Sequence, residues 1–417
     1  MSAAPAEAAP AEIAELLGEL VRIPSVGGTA AETGIQRWLA EWLRAEGLEV
    51  DHWEIPVGDI AAEPAFPGME VPRARASGLV ARLPGTGGGR SLMFNGHVDV
   101  VPPGALDAWT DDPFSGRIEG DLLYGRGACD MKGGLVAALT AVRALRRDGV
   151  RLRGDLLLAC VAGEEDGGLG SYALLRRGWR ADACVIPEPT GLDLVPANAG
   201  SLTFRLRVTG RTAHAAYRDT GVSAVEKFWP LFAALRDLEA RRNTDVDPLM
   251  GRWTLPYAIE VGTVRAGDWS STVPGDLAAE GRMGVALGET PEAAQHALEQ
   301  AVADACASDA WLSQYPAQVE WWGGRFAAAR LPDDDGGLLT RLTHAHTSET
   351  GSPPATWGAP YGSDLRLLTG LGGIPTVQYG PGDITRMHAP DECVSIPEVA
   401  IASRTLTRLA ITHCEPH

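Results

Sequence analysis

Three apolar runs, SLMFNGHVDVV, DLLLACVAGEE and ADACVIPEPT, each pass directly into residues with ionisable side chains, and they limit the fold more than any other feature. Short continuous runs rich in Leu, Val and Ile suit strands buried on both faces. GLVARL, just before them, adds a fourth such run. Between them MKGGLVAALTAVRALRRDG, beginning at Met131, reads as a helix with basic residues in its last turn and a glycine stop. Strands that alternate with helices build a mainly parallel sheet covered on both faces. Helical periodicity also runs from Glu12 to Val21 and from Ala31 to Glu46, with IPSVGG as a break, and the proline-rich stretch from Ile55 to Pro72 reads as a long loop.

The pattern changes near Ala199. SLTFRLRVTG alternates with period two, as a strand with one wet face does. A helical stretch, VSAVEKFWPLFAALRDLEARR, then leads to YAIEVGTV and DLAAEGRMGVAL. Thr290-Pro291 opens another helix through about Ser308, with threonine as cap and proline in the first turn. AQVEWWGGRF completes a β-α-β-β-α-β order, that of a ferredoxin-like sandwich. From about Phe326 the first pattern returns, with GIPTVQYG as a strand and Val394 to Leu409 as a closing helix. The expected fold is α/β: a catalytic domain with a mainly parallel sheet, residues 1–198 and 325–417, interrupted by an α+β ferredoxin-like domain, residues 199–324.

A net charge of −18 over 417 residues argues against nucleic acid and anionic membrane as partners, because nothing basic and contiguous is present to neutralise phosphates. Cys129, Cys160, Cys184, Cys306, Cys393 and Cys414 are scattered and read as reduced thiols. MSAAPAEAAPAEIAELL has no basic n-region or continuous apolar stretch, and no run approaches the length of a membrane span, so a cytoplasmic protein is expected.

His97 and Asp99 end the first run, Glu164 and Glu165 follow the second, and Glu188 follows the third. In an open α/β sheet, the crevice beyond the carboxyl ends of the strands is where ligands bind. Asp130 precedes a helix in GRGACDMKGG, where amide dipoles favour a carboxylate, and His388 lies in RMHAPDE after a strand. Taken singly, each is more often a turn or cap residue. Together they gather imidazole and carboxylate ligands suited to zinc, cobalt or manganese rather than calcium, too widely spread for a structural zinc site. There is no G-x-S-x-G elbow to suggest a serine hydrolase. His52, His296, His344, His346, His413 and His417 lack any such context and read as surface residues, and the twelve tryptophans read as core and interface.

GHVDVVP, GRGACDMKGG, the GEE segment, the EPT segment and MHAPDE resemble, in order, the motifs of the M20 metallopeptidase family, from about Glu12 to the C-terminus. That family includes acetylornithine deacetylase, succinyl-diaminopimelate desuccinylase, aminoacylase and glutamate carboxypeptidase. The resemblance implies two divalent metal ions, zinc first, with cobalt or manganese as alternatives. It assigns one to His97 and Glu188 and the other to Glu165 and His388, with Asp130 bridging. Asp99 would orient His97, and Glu164 would be the general base. The sandwich would be a lid and dimerisation domain, making the protein a homodimer, with His214 donating a hydrogen bond to the oxyanion across the interface. Arg282 resembles the arginine that clamps a substrate carboxylate, and Gly362, Ser363 and Asp364 would line the substrate pocket. One departure is visible: Ser271 in SSTVP stands where many members carry an asparagine that contacts substrate.

The implied activity is hydrolysis of the amide bond in an N-acyl amino acid or small peptide, that of a deacetylase-like amidohydrolase. An exopeptidase with the same metal chemistry is the first rival, and a non-catalytic protein that binds a small molecule in the same cleft is the second.

Overall fold

The computed structural model describes residues 9–415, so the first residues of the tail and His417 lie outside the described residues. The chain forms two compact units. The first contains Met1–Pro196, Arg330–Trp357 and Ser363–His417, and the second Ala197–Ala329 with Gly358–Gly362. Gly362, expected in the catalytic domain, therefore groups with the inserted unit.

At the centre of the first unit four strands run parallel, in the order Leu156–Val161, Leu92–His97, Ala183–Ile186 and Thr376–Gln378. Every residue of the first two is buried, as strands covered on both faces must be. The strands flanking this block are antiparallel: Ala76–Leu83 beside Leu156–Val161, then Glu49–Ile55 outside it, and Leu194–Asn198 on the other flank. From Leu92–His97 the chain steps one way to Leu156–Val161, then back past its start to Ala183–Ile186. Such a reversal sends the intervening helices, Gly133–Arg147 and Leu169–Arg176, to opposite faces and opens a crevice at the strand ends. Gly134 shows how closely the first helix sits: a Cβ there would lie 1.6 Å from the Pro187 carbonyl oxygen, one residue before Glu188.

The second unit is a four-stranded antiparallel sheet, ordered Ile259–Ala266, Asp276–Val285, Gly200–Thr209, Gln318–Phe326. With helices Ala224–Arg242 and Pro291–Ala307 it has the β-α-β-β-α-β order and strand arrangement of a ferredoxin-like sandwich. Along Gly200–Thr209 the alternation works as expected: Leu202, Phe204, Leu206 and Val208 are buried in the core shared with the helices. Both helices are capped, Ser223 Oγ accepting the Glu226 N–H and Thr290 Oγ1 the Ala293 N–H.

Several local readings need correction. The stretch from Ile55 to Pro72 contains a short helix, Val57–Ala61, rather than loop alone. The strand Glu49–Ile55 went unread because EVDHWEI is mostly half-buried and carries little apolar signal. The closing helix starts at Ile396 and runs to Cys414, after a short strand Cys393–Ser395. His346 and His413 are buried, not surface residues: His346 Nδ1 pairs with the Tyr379 hydroxyl at 2.9 Å, and His413 lies on the inner face of the closing helix. Trp229 and Trp269 are exposed. Among the described residues no helix is long and apolar enough to cross a membrane, and all six cysteines are free and buried.

Candidate metal centre

The ends of the parallel strands deliver the expected groups to one place in the first unit. His97 closes its strand, and its ring is almost entirely buried. Its Nε2 is 3.1 Å from Asp130 Oδ1 and 4.0 Å from Glu188 Oε1. The other oxygen of Asp130, Oδ2, is 3.3 Å from His388 Nε2, which is 3.0 Å from Glu165 Oε2. Asp130 thus lies between two imidazoles, one oxygen toward each. His388 reaches in from an exposed loop, with its own backbone in the left-handed region at φ 58°. Donor atoms of His97, Glu164 and Glu188, and of His97, Asp130 and Glu165, converge within 4.8 Å of one another.

Asp99 has a different geometry from the one expected. His97 Nδ1 contacts the Asp99 carbonyl oxygen at 2.9 Å, while the nearer carboxylate oxygen is 3.9 Å away. The carboxylate instead accepts the backbone N–H groups of Glu164 (3.3 Å) and Glu165 (3.2 Å). One residue therefore fixes His97 through its main chain and the Glu164–Glu165 turn through its side chain. Gly163, just before that turn, has φ 70°, a conformation glycine reaches without strain.

Two residues the sequence reading passed over hold Asp130 from behind. Glu392, the last residue of MHAPDE, accepts the N–H groups of Cys129 (2.9 Å) and Asp130 (3.0 Å). Its other oxygen pairs with Arg126 of GRGACD at 2.6 Å, and both side chains are buried. The sequence signal existed, since each lies inside a motif already singled out, but only the fold shows that the two motifs meet.

The electrostatics are those of too much negative charge in too little water. Burial, then the neighbouring Asp364 and Glu188, pushes the Glu164 carboxyl well above the usual range. Burial and Asp130 do the same to Glu188, and raise Glu165. Burial opposes the charge on Asp130, yet hydrogen bonds from His388 and His97 hold its carboxyl below the usual range. Burial opposes charge on the imidazoles too, but the surrounding carboxylates win, raising His97 and pushing His388 up to about 11. The two imidazoliums stand where more concentrated positive charge would be better accommodated. Glu164 Oε1 is buried without a hydrogen-bond partner, an atom left for something that the chain itself does not supply. Carboxylates and imidazoles with raised proton affinity, sharing a bridging aspartate, form a donor set that fits a pair of divalent cations.

The remaining expected residues are placed as follows. Ser363 and Asp364 are buried in the first unit; the Ser363 hydroxyl accepts the Leu365 N–H at 3.2 Å, and burial raises the Asp364 carboxyl. In the second unit, Gly362 packs so closely on Phe326 that a Cβ would lie 2.6 Å from its Cβ. Arg282 is half-buried on the sheet face opposite the helices, donating to the Pro360 carbonyl at 3.3 Å. His214 is exposed, and its Nδ1 accepts the Ala216 N–H at 3.1 Å, so a neutral ring carries its proton on Nε2 as a donor. Ser271 is close by: its carbonyl accepts the Ala215 N–H at 2.9 Å.

The sequence model of peptidase family M20/M25/M40 matches residues 93–412. The chain is 28% identical to N-formyl-4-amino-5-aminomethyl-2-methylpyrimidine deformylase of Bacillus subtilis (strain 168), across 97% of this chain and 95% of that protein. It is 31% identical to succinyl-diaminopimelate desuccinylase of Methylorubrum extorquens (strain PA1), across 91% and 93% respectively. Among solved structures it resembles the M20 family metallo-carboxypeptidase Sso-CP2 of Sulfolobus solfataricus, with TM-score 0.75, 17% identity, and 97% and 99% of the two chains covered. It also resembles the Bacillus subtilis YXEP protein, described as a dinuclear metal binding peptidase, with TM-score 0.66, 16% identity and coverage of 98% and 99%.

Proposed function

This chain belongs to peptidase family M20/M25/M40 and is a metal-dependent amidohydrolase, and from that premise we propose that it removes a small acyl group from the nitrogen of an amino acid or related amine. The two relatives described above are named for taking an acyl group, formyl or succinyl, off nitrogen, which favours deacylation over the exopeptidase reading. The observation that carries the reading is Asp130 between His97 and His388, with the unpartnered Glu164 Oε1 beside them.

The family implies two divalent ions, and we assign His97 and Glu188 to one, Glu165 and His388 to the other, and Asp130 to both, with zinc as the metal. When bound, such ions supply Lewis acidity toward the amide carbonyl and the attacking water. Glu164 is the general base. It accepts the proton of the attacking water and delivers it to the departing amine. Asp99 keeps Glu164 and Glu165 on divergent courses by anchoring both their N–H groups. His214 Nε2 is the donor for the oxyanion, contributed by a second copy in a homodimer. Two features support that assembly: among the described residues the sheet edge Ile259–Ala266 is paired on one side only, and Trp229 and Val264 are exposed on the same unit. Arg282 would clamp a substrate carboxylate, and Gly362 and Ser363 would border the pocket, with Ser271 altering its recognition. We propose the cytoplasm as its location, a compartment in which its six free cysteines stay reduced.

The test is bound metal and hydrolysis measured together on wild type and Glu164→Ala, over N-formyl, N-acetyl and N-succinyl substrates and dipeptides. Two metals per chain in both proteins, with deacylation lost only in Glu164→Ala, is the expected result. Preferential dipeptide cleavage would establish the exopeptidase instead. Absence of both metal and hydrolysis would leave a binding protein.

A further inference from the structure

The segment that carries Glu164 and Glu165 is anchored by Asp99 on one side; on the other it meets a buried cation that the mechanism above does not use. Arg73 comes from the end of the proline-rich stretch, and its side chain is 0% exposed, against 1% for its partner Glu32. Nε and Nη2 engage the Glu32 carboxylate at 3.0 and 2.9 Å, and Nη1 reaches Asp166 Oδ2 at 2.8 Å. That same Asp166 oxygen accepts the N–H groups of Glu70 (3.1 Å) and Val71 (2.8 Å). Glu32 is in turn fixed by the Gly28 N–H at 2.8 Å. The guanidinium also lies against Gly163, where an added Cβ would be 3.1 Å from Cζ. Arg366, also buried, holds the end of the segment through the Gly167 carbonyl at 2.8 Å.

We propose that Arg73 is a positioning residue for the hydrolytic reaction, fixing the 163–168 segment through Asp166 so that Glu164 meets its water at working distance. This rests on the assignment of Glu164 as the base. Stability is a poor reason to bury such a group. Removing a guanidinium and two carboxylates from water offsets most of what their attraction contributes, and apolar replacements of buried ion clusters are often no less stable. Geometry is the better reason. The planar fork binds Glu32 with two donors and Asp166 with a third, which sets angles as well as distances, and lysine cannot reproduce it. Asp166 is two residues beyond Glu164 and Gly163 one before it, so both ends of the short turn answer to one rigid group. The proline-rich stretch thereby becomes part of the catalytic apparatus.

The experiment uses full-length, metal-loaded protein with Arg73→Met, Arg73→Lys and Asp166→Asn, each alone and combined with Glu164→Ala. Metal content, Tm, kcat and KM are followed on the best acyl substrate. Displacements of about 1 Å at a reacting group lower rates by about 10²-fold, so each single variant is expected to lose about that factor in kcat. KM should stay within about twofold and metal content unchanged. In the Glu164→Ala background the same substitutions should have no further effect, because the group they position is gone. A kcat within twofold of wild type, or an equal further loss on top of Glu164→Ala, overturns the proposal. Should Arg73→Met fail to fold, Asp166→Asn, which keeps the side-chain volume, decides by the same comparison. Full activity in Glu164→Ala overturns the base assignment and this role with it, whereas an inactive Glu164→Ala beside a fully active Arg73→Met overturns the clamp alone.

Discussion

Charge is concentrated in two regions of this molecule, on opposite terms. On the outer face of the four-stranded sheet, Arg205 meets Glu280 and Glu320, and Arg207 meets Glu320, in a ladder of matched, solvent-touched pairs. At the ends of the parallel strands, Asp99, Asp130, Glu164, Glu165, Glu188 and Asp364 crowd around two imidazoles, nearly all of them buried. The ladder is neutral within itself and screened by water, so it contributes little in either direction. The crowd is unbalanced and dry, a burden on the fold that only added positive charge relieves. Matched exposed charge decorates an element; unmatched buried charge marks a site.

The sharpest way to break this contrast is to remove the metal. Exhaustive chelation should abolish hydrolysis and lower Tm. Ions present at about a thousand times their Kd stabilise by about 4 kcal/mol, and calorimetry before and after stripping measures the loss. Activity that persists after chelation would sink the two-metal reading. Glu164→Gln comes next: it keeps the shape and removes the base, so kcat should fall by about 10²–10⁴-fold with both metals retained. A fall in metal content instead would make Glu164 a ligand.

His413 sharpens the comparison from the side of a single buried ring kept neutral. Burial, with Arg341 and Arg90 nearby, lowers its imidazole to about 4. The unfolded ring, near 6.5, binds its proton first as pH falls, so stability is full above about 6.5 and drains away as pH drops toward 4. Complete loss would amount to about 3 kcal/mol. Relative to wild type, His413→Gln should therefore gain stability steadily from pH 7 to pH 4 in denaturant titrations; parallel curves would refute the idea. The smallest effect is on the ladder, where Glu320→Gln should leave Tm within about 2 °C of wild type. A larger shift would mean that exposed pairing matters more here than the contrast allows.

Much of this was legible in the chain because the informative residues stand at the ends of the most readable strands. His97, Glu164, Glu165 and Glu188 each follow an apolar run that can hardly be anything but buried sheet. What escaped reading depends on meetings across the sequence. Arg73 contacts one residue 41 positions away and another 93 away, and Arg126 meets Glu392 across 266. No local periodicity encodes such pairs. His413 was different, since Leu406, Leu409, Ala410 and His413 share helical spacing on a buried face, and that pattern was available.

The strand Thr376–Gln378 lies beside Ala183–Ile186 and ends the parallel block, yet follows it by some 190 residues of chain. At translation rates of roughly 5–20 residues per second, this leaves roughly 10–40 s in which the nascent sheet has an open, apolar edge. His388 emerges later still. A growing chain that has not yet reached His388 lacks one of the proposed ligands, so on that assignment metal loading follows the closing of the sheet rather than guiding it.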